Sequence, residues 1–597
     1  MIDLGTTVAE REMVTKEQPR AAIESVQFGV YGAWQGFELH IAEDAEAEVV
    51  ASDKMVEEVK SFFDRSDELR RLHANRTEGA LDLVERFPGS HRAWLNLAAS
   101  WINGGEIQEA RKAVQKALDL APDSSSARAM LGRVLILEGN VAEAAATYRD
   151  ILSRGSNVAA RETLAMLDLA SGSVDQAIEE LRAALDEDPG GRASLHYNLG
   201  LAHLLKRKSG RAISCFRKAL RQDPSYYMAY GGMAIAYAMQ GQMSKAERMF
   251  RVAVETEPTD LGMKLNLGQV LASQERWDDA IAVFERLTED CPTYWEAREA
   301  LAHSYFVAGR YREAAAHYAR VLQAVRSGSS GGSLSNALNN LGVAQAASGS
   351  VEEGIDLLRE SINVSGGQNA KPRLNLARVY LRTNRLRKAQ GLIGELRERL
   401  GEDKDVLNLS AWYNYLSQDY DRAAEDARQV LRKDSTDLYA ACLLSTILTE
   451  VQEDYAGAEA LLRQVEGKHG KSVKFLNNLA YALAWQGRFA EARTILERIP
   501  PGQDEDHAVS TATWGFLRLR QGDVVEGGRF YNEAAKLASD ENLRRLILQK
   551  KELELGRFYL EAGEGSRAKK HLERAVAADV TQKVFTETAT KLLGRCG

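Results

Sequence analysis

The sequence predicts an all-α solenoid of about 14 stacked antiparallel helix pairs. Two observations carry that reading: a repeat of 33 to 35 residues that runs through most of the chain, and, within each repeat, two stripes of apolar residues at helical spacing. A third is the composition, with 45% hydrophobic residues, 27% charged residues and only 10 prolines in 597 residues, which suits long helices and a large buried surface.

The clearest repeat begins at His91. It places Trp94, Leu97, Ala98 and Trp101 at its fourth, seventh, eighth and eleventh places, Ala110, Val114 and Ala117 at its twentieth, twenty-fourth and twenty-seventh, and Pro122 at its thirty-second. The same places hold His196, Leu199, Gly200, His203, Ala212, Phe216, Ala219 and Pro224 in the repeat from Ala193. Repeats phase to starts at 91, 125, 158, 193, 227, 261, 295, 335, 370, 404, 439, 473, 508 and 549, with longer steps of 40 into 335 and 41 into 549. The first four places form one stripe of a first helix, and the next three form one stripe of a second. Small residues at the eighth and twentieth places let the two helices approach. A glycine near the fifteenth place (Gly139, Gly172, Gly241, Gly309 or Gly487) supplies the turn, and the closing proline stops the second helix. The repeats from Lys404 and Tyr439 lack that proline and carry Ser410 and Ser445 at the seventh place.

These residues resemble the tetratricopeptide repeat over roughly 90–579. The resemblance implies a right-handed superhelix whose first helices line a concave groove, and a role in binding peptides, helices or whole domains. Around the array the sequence divides into a non-repeat segment over 1–56, a degenerate helical pair over 57–90, an amino-terminal array over 91–326, a Gly/Ser-rich connector over 327–334, a carboxyl-terminal array over 335–579 and a capping helix over 580–597. Residues 23–30 and 37–41 read as two short strands. The connector is open to two readings, a loose loop in a continuous stack or a hinge. The long step into 549 predicts an elongated helix there.

No phosphate-cradling glycine loop, nucleophile elbow or zinc-binding helix motif is present, so no catalytic, cofactor-binding or metal-binding residue is expected. His196 and His203 lie seven residues apart on one helix, about 10 Å along its axis, too far for one metal. The formal charge of -8 disfavours a dedicated nucleic-acid binder. Four isolated cysteines, and the lack of a signal sequence or a long apolar run, predict a soluble cytoplasmic protein without membrane insertion. Lys206, Arg207, Lys208 and Arg211 cluster at an inter-helix turn, either as wet surface or as a contact for an acidic partner.

Binding is expected on the first helices. Asn96, Asn198, Asn266, Asn340, Asn375 and Asn478 recur at the sixth place, where amides could hold a peptide backbone or link one repeat to the next. That ladder is similar to the repeat array of O-linked N-acetylglucosamine transferases, although no glycosyltransferase domain follows. Trp412, Ile447, Tyr481 and Phe516 occupy the ninth place of four successive repeats, and Leu443, Asn477 and Trp485 extend the same stripes. Large apolar groups there would dock a partner helix or loop, or serve as core. The Lys and Asn pair with which family members clamp chaperone tails is missing: the fifth and ninth places read Leu95 and Ala99, Ala129 and Arg133. The expected function is a non-catalytic scaffold or adaptor for one or more proteins. The alternative is a constitutive subunit or regulator of a larger cytoplasmic assembly, such as secretion, pilus, motility or polarity machinery.

Overall fold

The structure is a computed structural model that describes residues 67–597, apart from 189, 191, 331, 367–368, 503–504, 539–540, 579–583 and 597. The segment expected over 1–56, with its two short strands, lies outside the described residues. The first described element is a single helix, Asp67–Arg86, in place of the second half of the expected pair.

Thirty α-helices follow one another among the described residues: the leading helix, fourteen antiparallel pairs and a final helix, Val584–Leu593. First helices begin at His91, Ser125, Val158, Ala193, Tyr227, Leu261, Trp295, Leu334, Lys371, Lys404, Leu438, Val473, Glu505 and Glu541, within a few residues of most phased starts. The exception is the last, because Glu541–Glu561 is the elongated helix expected from the long step.

Side-chain size explains how each pair closes. The twentieth place is Ala or Gly in every repeat, and Ala110, Ala144, Ala177, Ala212, Ala246 and Ala280 are all fully buried. At the eighth place, a methyl added to Gly200 would sit 2.5 Å from the Phe216 ring, and one on Gly268 would sit 2.3 Å from the Phe284 ring. Both rings are the twenty-fourth residue of their own repeat and are buried, so these glycines make room for the largest apolar side chains of the core. Gly139 and Gly172 turn the chain at φ 81° and 78°. In five repeats the same place holds a residue other than glycine at positive φ: Arg207, Glu275, Asn384, Gln418 and Glu453.

Neighbouring repeats are joined by polar links that recur in phase. An arginine at the twenty-fifth place donates to the eleventh place of the next repeat: Arg149 to Asp168 at 3.4 Å, Arg217 to the Tyr237 hydroxyl at 3.1 Å and Arg359 to the Tyr380 hydroxyl at 3.0 Å. A second series pairs an arginine at the inter-helix turn with a carboxylate of the preceding repeat, as in Arg276 with Glu247 at 2.8 Å, Arg385 with Glu352, and Arg488 with Glu459.

The described residues form two compact units, 67–300 and 301–597. The division falls inside the helix Trp295–Val307, not at the Gly/Ser-rich connector. Within the second unit residues 327–330 of the connector turn away from the preceding helix: Ser327 Oγ donates to the Ala324 carbonyl at 3.0 Å, and Arg326 pairs with Glu360 at 2.6 Å. No described helix is long and apolar enough to cross a membrane.

Candidate functional site: the first-helix face of residues 404–593

The repeats from Lys404 and Leu438 replace an apolar core residue with serine, and the structure shows what each hydroxyl does. Ser410 donates to Asp426 at 2.7 Å; Asn414 reaches the same carboxylate at 2.8 Å, and Arg397 lies 3.4 Å from its other oxygen. Asp426 is buried, so these donors replace the water it has lost. Ser445 bonds within its own helix to the Cys442 carbonyl.

The ninth-place residues are placed differently from a docking surface. Leu443, Ile447 and Phe516 are fully buried, and Trp412 and Tyr481 are 5% and 6% exposed. Trp412 meets Tyr439 edge-on, with ring centroids 6.4 Å apart. Phe516 lies 4.8 Å from the Tyr481 ring and 4.9 Å from the Trp485 ring. Asn477 is buried and Asn478 half-buried, with an amide contact at 3.5 Å between them. Of the two uses left open for the stripe, burial favours core, with Trp485 alone half-buried. Helical spacing looks the same for a groove wall and for a surface that another part of the chain has closed.

Part of that closure comes from the last helices. Lys550, on the elongated helix, is buried and donates to Glu450 Oε1 at 2.7 Å and to the Tyr481 hydroxyl at 2.6 Å. Tyr481 in turn donates to Glu450. Glu554, one turn along from Lys550, lies 3.3 Å from its ammonium and is also buried. The Lys550 ammonium sits 4.3 Å from the centre of the Phe585 ring, on the final helix. Burial would push the Glu450 carboxyl up, but Lys550 and the Tyr481 hydroxyl hold it below the ordinary carboxylate range. Burial, reinforced by Glu450 and Glu554, pushes the Tyr481 phenol well above its usual value. A neutral phenol thus bridges a cation and an anion, each of which needs the other.

Beside this cluster a cleft of about 350 Å³ is lined by Arg520, Gly522, Glu554, Arg557, Phe558 and Glu561, among others. Trp485 lies behind it, stacked on Tyr455 at 5.2 Å and approached by Arg557 at 4.8 Å and Arg520 at 5.1 Å. Arg520 pairs with Glu561 at 3.1 Å and Arg557 with Glu554 at 3.6 Å, so the cleft's charges are balanced from within.

The sixth-place asparagines divide. Asn198, Asn266 and Asn375 are buried, Asn340 is half-buried and Asn96 is exposed. Asn198 donates to Glu162 at 3.2 Å and Asn375 to Asn339 at 2.7 Å, each acceptor being the fifth residue of the preceding repeat. These amides link repeats, the other use their spacing allowed. His203 is buried and His196 half-buried, and burial, with the cations around them, pushes both imidazoles down. Among the described residues no group of His, Cys, Asp and Glu could hold a metal ion.

Stacked helix pairs joined by in-phase links define a helical-repeat protein. Models described as tetratricopeptide repeat match overlapping or adjoining windows from 74–125 to 374–437, and a further window at 452–513. Together the windows cover more than half of the chain, which belongs to the tetratricopeptide repeat family. Among curated proteins, an uncharacterised protein of Haemophilus influenzae is 30% identical over 103 residues, 17% of this chain and 57% of that protein. Protein FlbA of Caulobacter vibrioides is 29% identical over 236 residues, 37% of this chain and 38% of FlbA. The chain therefore spans less than two thirds of either relative. A crystal structure of the APC/C hetero-tetramer Cut9-Hcn1 superposes with a TM-score of 0.52 at 15% identity, covering 84% of this chain and 96% of that one, which is a likeness of fold.

Proposed function

We propose that this protein is a non-catalytic scaffold that binds one or more partner proteins through its repeat array. The observation that supports the reading is the stack itself. Core places are spent on adjacent helices, in-phase polar links hold repeat to repeat, and the remaining helix faces carry exposed polar side chains. Proteins of the family generally mediate protein–protein interactions, and tetratricopeptide scaffolds are typically non-catalytic. The four free cysteines fit a reducing cytoplasm.

The ninth-place stripe is not carried forward as the docking surface, because its side chains are buried. The exposed Asn96 and the outward faces of the helices remain available.

Affinity capture of the tagged full chain, followed by titration of each captured protein against purified material, tests the scaffold role. At least one protein that binds directly and saturably is the expected result. A chain that captures nothing from its native extract defeats the reading. A second reading, a permanent subunit of a larger assembly, is suggested by the likeness to Cut9, which was crystallised with Hcn1 in a hetero-tetramer. It predicts that the isolated chain aggregates, whereas a free scaffold stays monomeric.

A further inference from the structure

We infer that helix Ser209–Gln222, with the turn that precedes it, is a docking face for an acidic polypeptide segment.

The helix reads SGRAISCFRKALRQ and contains no acidic residue. Its inner stripe, Ala212, Ile213, Cys215, Phe216 and Ala219, is buried in the repeat core. Its outer half carries Arg211, Arg217, Lys218 and Arg221, and the turn before it adds Arg207 and Lys208; all six are exposed. The backbone of Arg207 takes φ 54° at the place where most repeats put glycine, so an arginine is held there at some cost. Arg182, exposed on the preceding second helix Val174–Glu187, extends the patch sideways: with Lys208 and Arg211 it depresses the His203 imidazole beyond what burial does, and with Lys218 it bears on Cys215.

Most arginines at equivalent places elsewhere are neutralised, as in Arg149 with Asp168, Arg251 with Glu247 and Arg276 with Glu247. Here none of the six cations has a carboxylate within ion-pair distance among the described residues; Arg217 alone has a side-chain partner, the neutral Tyr237 hydroxyl. Two acids beside the patch are already used. Asp175 pairs with Lys206, and Asp223, which ends the helix, accepts from the backbone and hydroxyl of Ser225. In a chain with a net charge of -8, this is concentrated, unspent positive charge.

The size of the patch selects the occupant. Fourteen residues of helix span about 21 Å, the length of roughly six extended residues. Asp175, paired with Lys206, stands beside the turn and Asp223 ends the helix, so a duplex or a membrane surface would carry its negative charge past the patch onto carboxylates. A short run of Asp and Glu in a partner protein matches both the length and the sign. The inference rests on the scaffold reading only in taking the occupant to be polypeptide.

The full-length protein titrated with fluorescein-labelled decaglutamate tests it directly. The substitutions Lys208→Gln, Arg211→Gln, Lys218→Gln and Arg221→Gln made together should weaken binding by about tenfold or more, since four weak exposed pairs are lost. Wild-type affinity should also fall steeply with salt. A control with the same charge change elsewhere (Arg387→Gln, Arg399→Gln, Arg428→Gln and Lys433→Gln) should bind as wild type. All eight substituted cations are on the surface, so the circular dichroism of both variants should be unchanged. Equal weakening in both variants, or duplex DNA or anionic phosphatidylserine vesicles binding this face more tightly than the peptide, would overturn the inference. Affinity capture with the first variant separates the two conclusions. Partners retained in full, with no decaglutamate binding, remove this docking face but leave the scaffold; no partners for the wild type remove the scaffold, and the titration does not depend on that result.

Discussion

Lys550 Nζ lies 2.7 Å from Glu450 Oε1, across one hundred residues of chain and from one first helix to another three repeats earlier. All the in-phase polar links described above reach only to the adjacent repeat. This one ties the elongated helix Glu541–Glu561 to the helix Leu438–Glu450.

Removing one partner of such a pair leaves a buried charge without compensation. Lys550→Met should destabilise the carboxyl-terminal repeats by about 3–5 kcal/mol. Adding Glu450→Gln and Glu554→Gln should recover most of that loss. Hydrogen exchange read by mass spectrometry would show faster exchange in 438–450 and 541–561 for the single variant. No change in either segment would mean that the pair contributes little.

Phe516 decides between core and docking surface. As a fully buried ring, Phe516→Ala should cost about 3–5 kcal/mol and lower the melting temperature. A variant that melts like wild type but loses a binding partner would restore the docking reading over the core one.

Gly268→Ala tests the close approach of paired helices. The new methyl meets the buried Phe284 ring, and the overpacking, about 1–3 kcal/mol, should exceed the gain in helix propensity. The double change Gly268→Ala with Phe284→Leu should recover stability. Glu275→Gly works in the opposite sense: at φ 61° the left-handed backbone favours glycine, and a gain of about 0.5–1 kcal/mol is expected in thermal melts.

Asp434 gives the acid limb of stability a named contributor. Burial opposes its ionisation, but hydrogen bonds from the Thr436 hydroxyl and backbone, together with Lys404, outweigh that and hold the carboxyl well below the ordinary carboxylate range. A depressed folded pKa adds stability above the unfolded value, near 4, and that stability is lost as pH falls below it. Asp434→Asn should therefore be less stable than wild type at neutral pH, with the difference shrinking as the solution is acidified from about pH 4. Urea melts across that range would show it, and a constant difference would refute it.

Much of the fold could be read from residue identity alone. Small residues at the eighth and twentieth places and the stripes around them gave phases that the helix starts follow, since these contacts lie within one pair or between neighbours. The repeats with Ser410 and Ser445 kept the phase, and each buried hydroxyl there has a hydrogen-bond partner. The site was harder to read. Whether Tyr481 faces water or core depends on Lys550, itself held under the Phe585 ring, which approaches it from far along the chain and leaves no periodic mark. The Asn198 and Asn375 links were among the readings left open; the arginine-to-tyrosine links were missed, although Arg217 and Arg359 share one place and Tyr237 and Tyr380 another.

A clasp of three-repeat reach also alters how the array yields to force. Elsewhere, tension on the carboxyl end would peel helices off in small steps, because the in-phase links run only from one repeat to the next. From Leu438 onward the Lys550 contact loads three repeats in parallel, so the last stretch should let go in a single rupture.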